Sequence, residues 1–172
     1  MAFNINVANS CKLLVVRVTR VDPSVTTANI TVTNLNTQAA TTTPITYNIG
    51  NGKATVHIPT SSFDSANGVF KICQTENSVE VACKAVIIHC DIDCCLVKLT
   101  NELIDCDCDC DRCSVALSKA QKIFLLLQSA KTTVDLVNSL GPRDRNSGYY
   151  TDILTKYLKA REICDNSCGC DC

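Results

Sequence analysis

Cysteine carries most of the chemistry this chain can offer. Fourteen of its 172 residues are cysteine, and eleven of those stand at position 90 or later. They fall into three groups: Cys90, Cys94 and Cys95; Cys106, Cys108, Cys110 and Cys113; and Cys164, Cys168, Cys170 and Cys172. Thiolates one to three residues apart on a tight turn can share a soft cation, at about 2.3 Å per zinc–sulfur contact. Each group of four therefore has the ligand count of a tetrahedral site, and Zn is the cofactor it would take. The spacing is tighter than that of a zinc ribbon, which uses two separated knuckles. The interleaved Asp107, Asp109 and Asp111 attract a cation but raise thiol pKa.

Disulfides are the equal alternative, joining the two dense clusters to each other or to Cys90, Cys94 and Cys95. Connectivity does not follow from spacing. Exposed or buried free thiols are the plain reading. For Cys11, Cys73 and Cys83, which lie outside the clusters, the plain reading leads, because cysteine is among the most buried residue types. A turn near Asn77-Ser78 would nevertheless place Cys73 and Cys83 on paired neighbouring strands, where opposed Cβ atoms are about 4.5–5.5 Å apart.

Other catalytic patterns are weak, and the chain reads as a non-enzyme. His89 and Cys90 are adjacent, so on a strand they point to opposite faces. His57 sits in a strand-like run with no patterned carboxylate or nucleophile. Cys94-Cys95 lacks the C-x-x-C spacing of a redox motif. Gly50-Asn51-Gly52-Lys53 lacks the spacing of a phosphate loop and reads as a turn. With 16 basic and 17 acidic residues the formal charge is −1, which provides no field for nucleic acid or an anionic membrane. Arg143 and Arg145 share a loop with Asp144, as in an ordinary solvated loop. Tyr149-Tyr150 suits an interface, or the first turn of a packed helix.

The elements that position these residues divide near position 90. Residues 1–90 are rich in Thr, Val, Ile and Asn. Leu13–Val21, Asn29–Leu35, Thr43–Ile49, Ala54–Ile58, Gly68–Cys73 and Val79–Val86 alternate apolar and polar residues, as half-buried strands do. Asn51-Gly52 between two such runs is a hairpin signal. Six or seven short strands predict an antiparallel, immunoglobulin-like β-sandwich. Residues 91–172 change period. Ile92, Cys95, Leu99 and Leu103 share one helical face, and Val115, Ala116, Ala120, Ile123, Leu127, Ala130, Val134 and Val137 share another. Gly141-Pro142 ends that helix, with Gly141 as its left-handed cap. Tyr150, Ile153, Leu154, Tyr157 and Leu158 mark a third. The expected fold is α+β: a sandwich domain, 1–90, then a cysteine-rich helical hairpin or bundle, 91–172, with a cysteine tail. Helix lengths predict that the C-terminal cysteines meet the earlier ones in space.

A sandwich ending in a Gly68-Val69-Phe70 strand and a hairpin, then a cysteine-rich turn and the helix Ala120–Ala130, resembles small virion structural proteins of tailed bacteriophages, crAss-like ones among them. That resemblance implies a component of the neck, tail or capsid surface. It would act by homo-oligomerisation and docking to other virion proteins, with no catalytic residues. The start of the chain has no basic segment before an apolar run, and no apolar run is long enough for a membrane span. Synthesis in a host cytoplasm and residence in the virion are the expectation. A reducing cytoplasm favours metal or free thiol over disulfide, whereas a released particle can oxidise later. A metal-binding or redox module, and a receptor- or carbohydrate-binding sandwich, are the alternatives.

Overall fold

The structure, a computed structural model, describes residues 5–104, 110–141 and 144–166. Seven strands are followed by three α-helices among these residues. The strands are β1 (Ile5–Asn9), β2 (Leu13–Thr19), β3 (Thr27–Asn34), β4 (Ala40–Thr46), β5 (Lys53–Pro59), β6 (Gly68–Glu76) and β7 (Val79–Ile88). The helices are α1 (Cys90–Ile104), α2 (Cys110–Ser139) and α3 (Ser147–Asp165). All strand pairs are antiparallel, in two sheets of order β1-β2-β5 and β4-β3-β6-β7.

The period-two pattern explains the first core. In β2, Leu14, Val16 and Val18 are buried while Arg17 faces solvent. With Ile30 and Val32 of β3, Ile58 of β5, Phe70 and Ile72 of β6 and Ile88 of β7 they fill the space between the sheets. The ring of Phe63 meets that of Phe70 edge-on at 5.2 Å, a favoured aromatic geometry.

β6 departs from alternation because it is buried on both faces. Phe70 and Ile72 belong to the inter-sheet core. Val69 belongs to a second core made with Ala85, Ile92, Leu99, Ile123, Ala130, Val137, Ile153 and Tyr157. The helices therefore pack on the outer face of the four-stranded sheet at its β6–β7 end. α2 and α3 each cover part of it, and α1 packs on both helices.

β7 is an edge strand, and Asn138 of α2 with Arg145 of the α2–α3 connection covers part of that edge. Asn138 accepts a hydrogen bond from the Ala85 amide at 2.8 Å and donates to the Ala85 carbonyl at 3.0 Å. One side-chain amide thus mimics a neighbouring strand, in both directions. Arg145 donates to the Cys83 carbonyl and, at 3.1 Å, to the Leu140 carbonyl. Unpaired edges of this kind otherwise recruit foreign strands.

The inter-sheet core has one polar knot. Glu76, 3% exposed, accepts from the Val21 amide at 2.9 Å, the Asp22 amide at 3.0 Å and the Tyr47 hydroxyl at 2.7 Å. Gln74 donates to Glu76 at 2.8 Å and to the Thr19 carbonyl at 3.0 Å. Burial pushes the Glu76 carboxyl upward, but these donors together outweigh it and the net shift is downward. Burial and the neighbouring carboxylate push Tyr47 upward.

Several expectations change. Asn51-Gly52 does not join a hairpin: the turn closes through Gly52 N–H to the Asn48 carbonyl at 2.8 Å, but β4 and β5 enter different sheets. The strand at Ile5–Asn9 lay outside the alternating runs. Val115 and Leu158, assigned to buried stripes, are 52% and 44% exposed. Gly141 is not left-handed; the positive-φ glycines among the described residues are Gly52 and Gly68. The β6–β7 turn is the two-residue hairpin, with Asn77 and Ser78 at φ 49° and 66°, as a type I′ turn requires.

Two predictions follow from the polar contacts. Folding lowers the Glu76 pKa, so its contribution is present above the unfolded value of about 4.3 and is lost as pH falls through the folded value. Glu76→Gln should cost about 2 kcal/mol at neutral pH in urea unfolding, with the gap to wild type closing at acid pH; a pH-independent gap would contradict this. Asn138→Ala orphans two buried backbone groups and should cost about 2 kcal/mol. Hydrogen exchange at the Ala85 amide should accelerate more than at neighbouring β6 amides.

Candidate functional site

The cysteines gather where the helices meet the sheets. Cys11, in the β1–β2 turn, is disulfide-bonded to Cys90, the first residue of α1, across 79 residues of sequence. Cys11 is thus not the lone core thiol expected of it. Cys90 is correspondingly not a partner of the later clusters, because its sulfur is already committed.

A set of asparagines fixes the same junction. Asn34, fully buried, donates to the carbonyls of Ser65 and Asn67 at 3.2 and 3.4 Å and accepts from the Asn36 amide at 3.0 Å. Asn36 accepts from the Val69 amide at 3.0 Å. Asn67 accepts from the Cys90 amide at 2.9 Å, so a distant loop caps the N-terminus of α1. Gly68 joins these groups at φ 145°, and a Cβ there would meet the side-chain oxygens of Asn36 and Asn34 at 2.7 and 2.8 Å. Only glycine fits both conditions.

Beyond the cap, Asp91 connects α1 to α3. It lies 3.4 Å from the Tyr157 hydroxyl and 3.6 Å from Arg161 Nε, and Arg161 also reaches Asp165 at 3.8 Å. Tyr157 is pushed upward by burial first and then by the Asp91 charge. His89 pairs with Asp93 at 3.0 Å, one turn along. His57 is exposed on β5, opposite Val15.

The second cysteine site is the β6–β7 hairpin. Cys73 and Cys83 are direct partners in the ladder and form a disulfide with Cα atoms 4.1 Å apart. They are 7% and 5% exposed, buried as expected but oxidised and not lone thiols. Glu80 lies beside them, and the two sulfurs and a carboxylate oxygen are all within 4.8 Å of one another. That is metal-ligand spacing, and the group could hold a metal only with the two sulfurs released from each other. Glu80 also meets Lys71 at 3.8 Å, and the Lys71 ammonium sits 5.6 Å from the centre of the Tyr150 ring. Arg145 bonds the Cys83 carbonyl.

Among the other cysteines, Cys94 of the first group and Cys113 of the second are disulfide-bonded. Cys95 and Cys164 are buried in the same apolar cluster, in α1 and α3. Cys106, Cys108, Cys168, Cys170 and Cys172 lie outside the described residues, as does the side chain of Cys110. Asn34, Asn36, Asn67 and Asn138 escaped the sequence reading, in which Asn counted as strand and turn filler. Their partners lie up to 53 residues away, and no local pattern announces such contacts.

Closing the longer loop removes more chain entropy. Replacing Cys11 and Cys90 together by Ser should therefore cost about 4 kcal/mol, against about 3 kcal/mol for Cys73 and Cys83; urea unfolding of the two double variants measures the order, and the reverse order would refute the entropic account. Comparison with protein-family models, curated proteins and solved structures finds no match.

Proposed function

We propose that this chain is a non-enzymatic assembly module that works by self-association and docking through α2. The observation that carries the reading is the outer face of that helix. Ala116, Ile123, Ala130, Val134 and Val137 are buried, yet Leu117, Phe124, Leu125 and Leu136, turned away from that stripe, are 47%, 61%, 62% and 46% exposed. A surface helix normally carries charge on that side; here Leu117, Phe124 and Leu125 cluster within about two turns, and clustered exposed apolar groups mark interaction sites.

The flank toward α3 supports a second copy as the occupant. An open groove of ≈ 570 Å³ is lined by Leu125, Leu126 and Ile163, with Lys122, Lys159 and Glu162 at its edges. An apolar floor with rim charges of both signs is self-complementary under a two-fold axis: Lys159 of one copy can face Glu162 of the other.

The sheets fit an immunoglobulin-like reading. If β1, β2 and β5 correspond to strands A, B and E, then β3, β6 and β7 correspond to C, F and G, with β4 beside C. Such sandwiches serve many functions, so the arrangement supports a scaffold without naming a ligand. The titratable side chains at the junction are engaged in structural contacts: His89 with Asp93, Asp91 with Arg161. No helix of the described residues is long and apolar enough to cross a membrane. A place in a bacteriophage virion, among other virion proteins, is what the sequence resemblance adds to this reading.

Sedimentation velocity on the full chain tests the proposal. Wild type should self-associate with rising concentration. Phe124→Asp with Leu125→Asp should weaken association by about tenfold or more, as loss of interface hot spots does, with an unchanged circular-dichroism spectrum. A wild-type chain that stays monomeric throughout, or a double variant that associates equally well, would overturn it.

A further inference from the structure

We propose that the Cys73–Cys83 disulfide, when reduced, becomes a binding site for a thiophilic divalent cation such as Zn²⁺, with Glu80 as the third protein ligand. The two states exclude each other, because the same sulfurs serve either bond. The site is separate from the α2 face invoked for assembly.

The geometry favours the exchange. Cys73 and Cys83 face each other across the ladder with Cα atoms 4.1 Å apart. Two thiolates on one zinc, each at about 2.3 Å, stand roughly 3.8 Å apart at a tetrahedral angle. Side chains rising from so close a pair reach that separation by small rotations, without moving the strands. The Glu80 carboxylate already lies within 4.8 Å of both sulfurs. Its present partner, Lys71, is a long contact at 3.8 Å between half-exposed groups, and such surface pairs are weak. Three protein ligands leave the fourth position of a tetrahedral cation to water.

The surroundings suit both steps. Val79 and Glu80 are exposed at the hairpin end, so solvent reaches to within two strand positions of the Cys73–Cys83 pair. Lys71 beside Glu80 and Arg145 on the Cys83 carbonyl place positive charge near the sulfurs, which favours thiolate. Two thiolates, a carboxylate and a divalent cation sum to one negative charge, which these side chains offset.

The chemistry balances. A dithiol reductant gives two electrons and two protons to the Cys73–Cys83 bond: the S–S bond breaks, two thiols form, and the reductant becomes a cyclic disulfide. Zn²⁺ then displaces the two thiol protons, which are released to water. Reoxidation by a small-molecule disulfide reverses the sequence: the Cys73–Cys83 bond forms as the reagent's S–S bond breaks, Zn²⁺ is released, and the reagent's two sulfurs take up two protons from water to leave as thiols.

The test is zinc titration of the full chain after dithiol reduction and removal of the reductant under anaerobic conditions, with Co²⁺ as the spectroscopic probe. The other cysteines are present in every sample, so the readout is a difference between samples. Cys73→Ser with Cys83→Ser should bind one equivalent of Zn²⁺ less than wild type and lose part of the thiolate-to-cobalt charge-transfer absorption. Glu80→Gln, an exposed substitution that leaves the fold intact, should retain that equivalent with affinity lowered at least about tenfold, given that even an outer partner of a ligand is worth 10- to 100-fold. Equal zinc in wild type and the double-serine variant would overturn the site. An unchanged affinity in Glu80→Gln would overturn the ligand set. Should the double-serine variant not fold, wild type oxidised at Cys73–Cys83 alone, confirmed by peptide mapping, replaces it, and a full complement of zinc in that sample would refute the proposal.

Discussion

The β6–β7 hairpin belongs to two cores at once, and the rest of the molecule is arranged around that constraint. A strand covered on one face can alternate; β6 must bury Phe70 and Ile72 toward the opposite sheet and Val69 toward the helices. Its partner β7 has the same task at the end of the sheet, with no strand on its outer side. A hairpin so placed tolerates little slippage, because a one-residue shift would exchange the two sets of side chains. The left-handed turn at Asn77 and Ser78 and the Cys73–Cys83 bridge pin the register from within. Asn138 and Arg145 pin it from the edge.

The cysteines are distributed according to the same constraint. Cys11–Cys90 ties the three-stranded sheet to the entry of α1, at the point where the chain passes from β7 to the helices. The Asn67 cap and the Asp91 contacts with Tyr157 and Arg161 act at that same turn. Covalent and polar ties therefore concentrate at the junction, whereas apolar packing fills the space on both sides of it. A junction held in this way transmits little independent motion between sheets and helices.

Much of this was legible because it is periodic. Alternation located six of the seven strands, and a period of 3.6 located all three helices with the buried faces of Ile92, Cys95 and Leu99 and of Ile123, Ala130 and Val137. What periodicity cannot express was lost. Asn51-Gly52 specifies a tight turn, but whether the following strand pairs with the preceding one or crosses to the other sheet depends on β2, which claims β5. Val115 and Leu158 follow their stripes in sequence, yet among the described residues both stand about half-exposed. Cys11–Cys90 and the Asn138 bracket depend on contacts 79 and 53 residues apart. Residue type alone could not assign the sulfurs either: spacing left metal, disulfide and free thiol open, and Cys11, Cys73, Cys83, Cys90, Cys94 and Cys113 are disulfide-bonded.

Rigidity at the junction bears on how α2 would be used. One side of α2 packs on the body of the protein, while the other presents Leu117, Phe124 and Leu125 to solvent beside polar residues such as Gln121 and Gln128. Such a face binds well only if the helix is held still, because ordering a mobile element on binding costs free energy that contacts must offset. The 30-residue α2 is held along its length: α1 and α3 pack on it, Lys156 and Asp152 of α3 meet its Thr133 at 3.3 and 2.8 Å, and Asn138 anchors its C-terminal end to β7. Edge protection and presentation of the outer face are thus the work of one element: the residue that blocks unwanted strand pairing at β7 is also one that keeps α2 in place for docking.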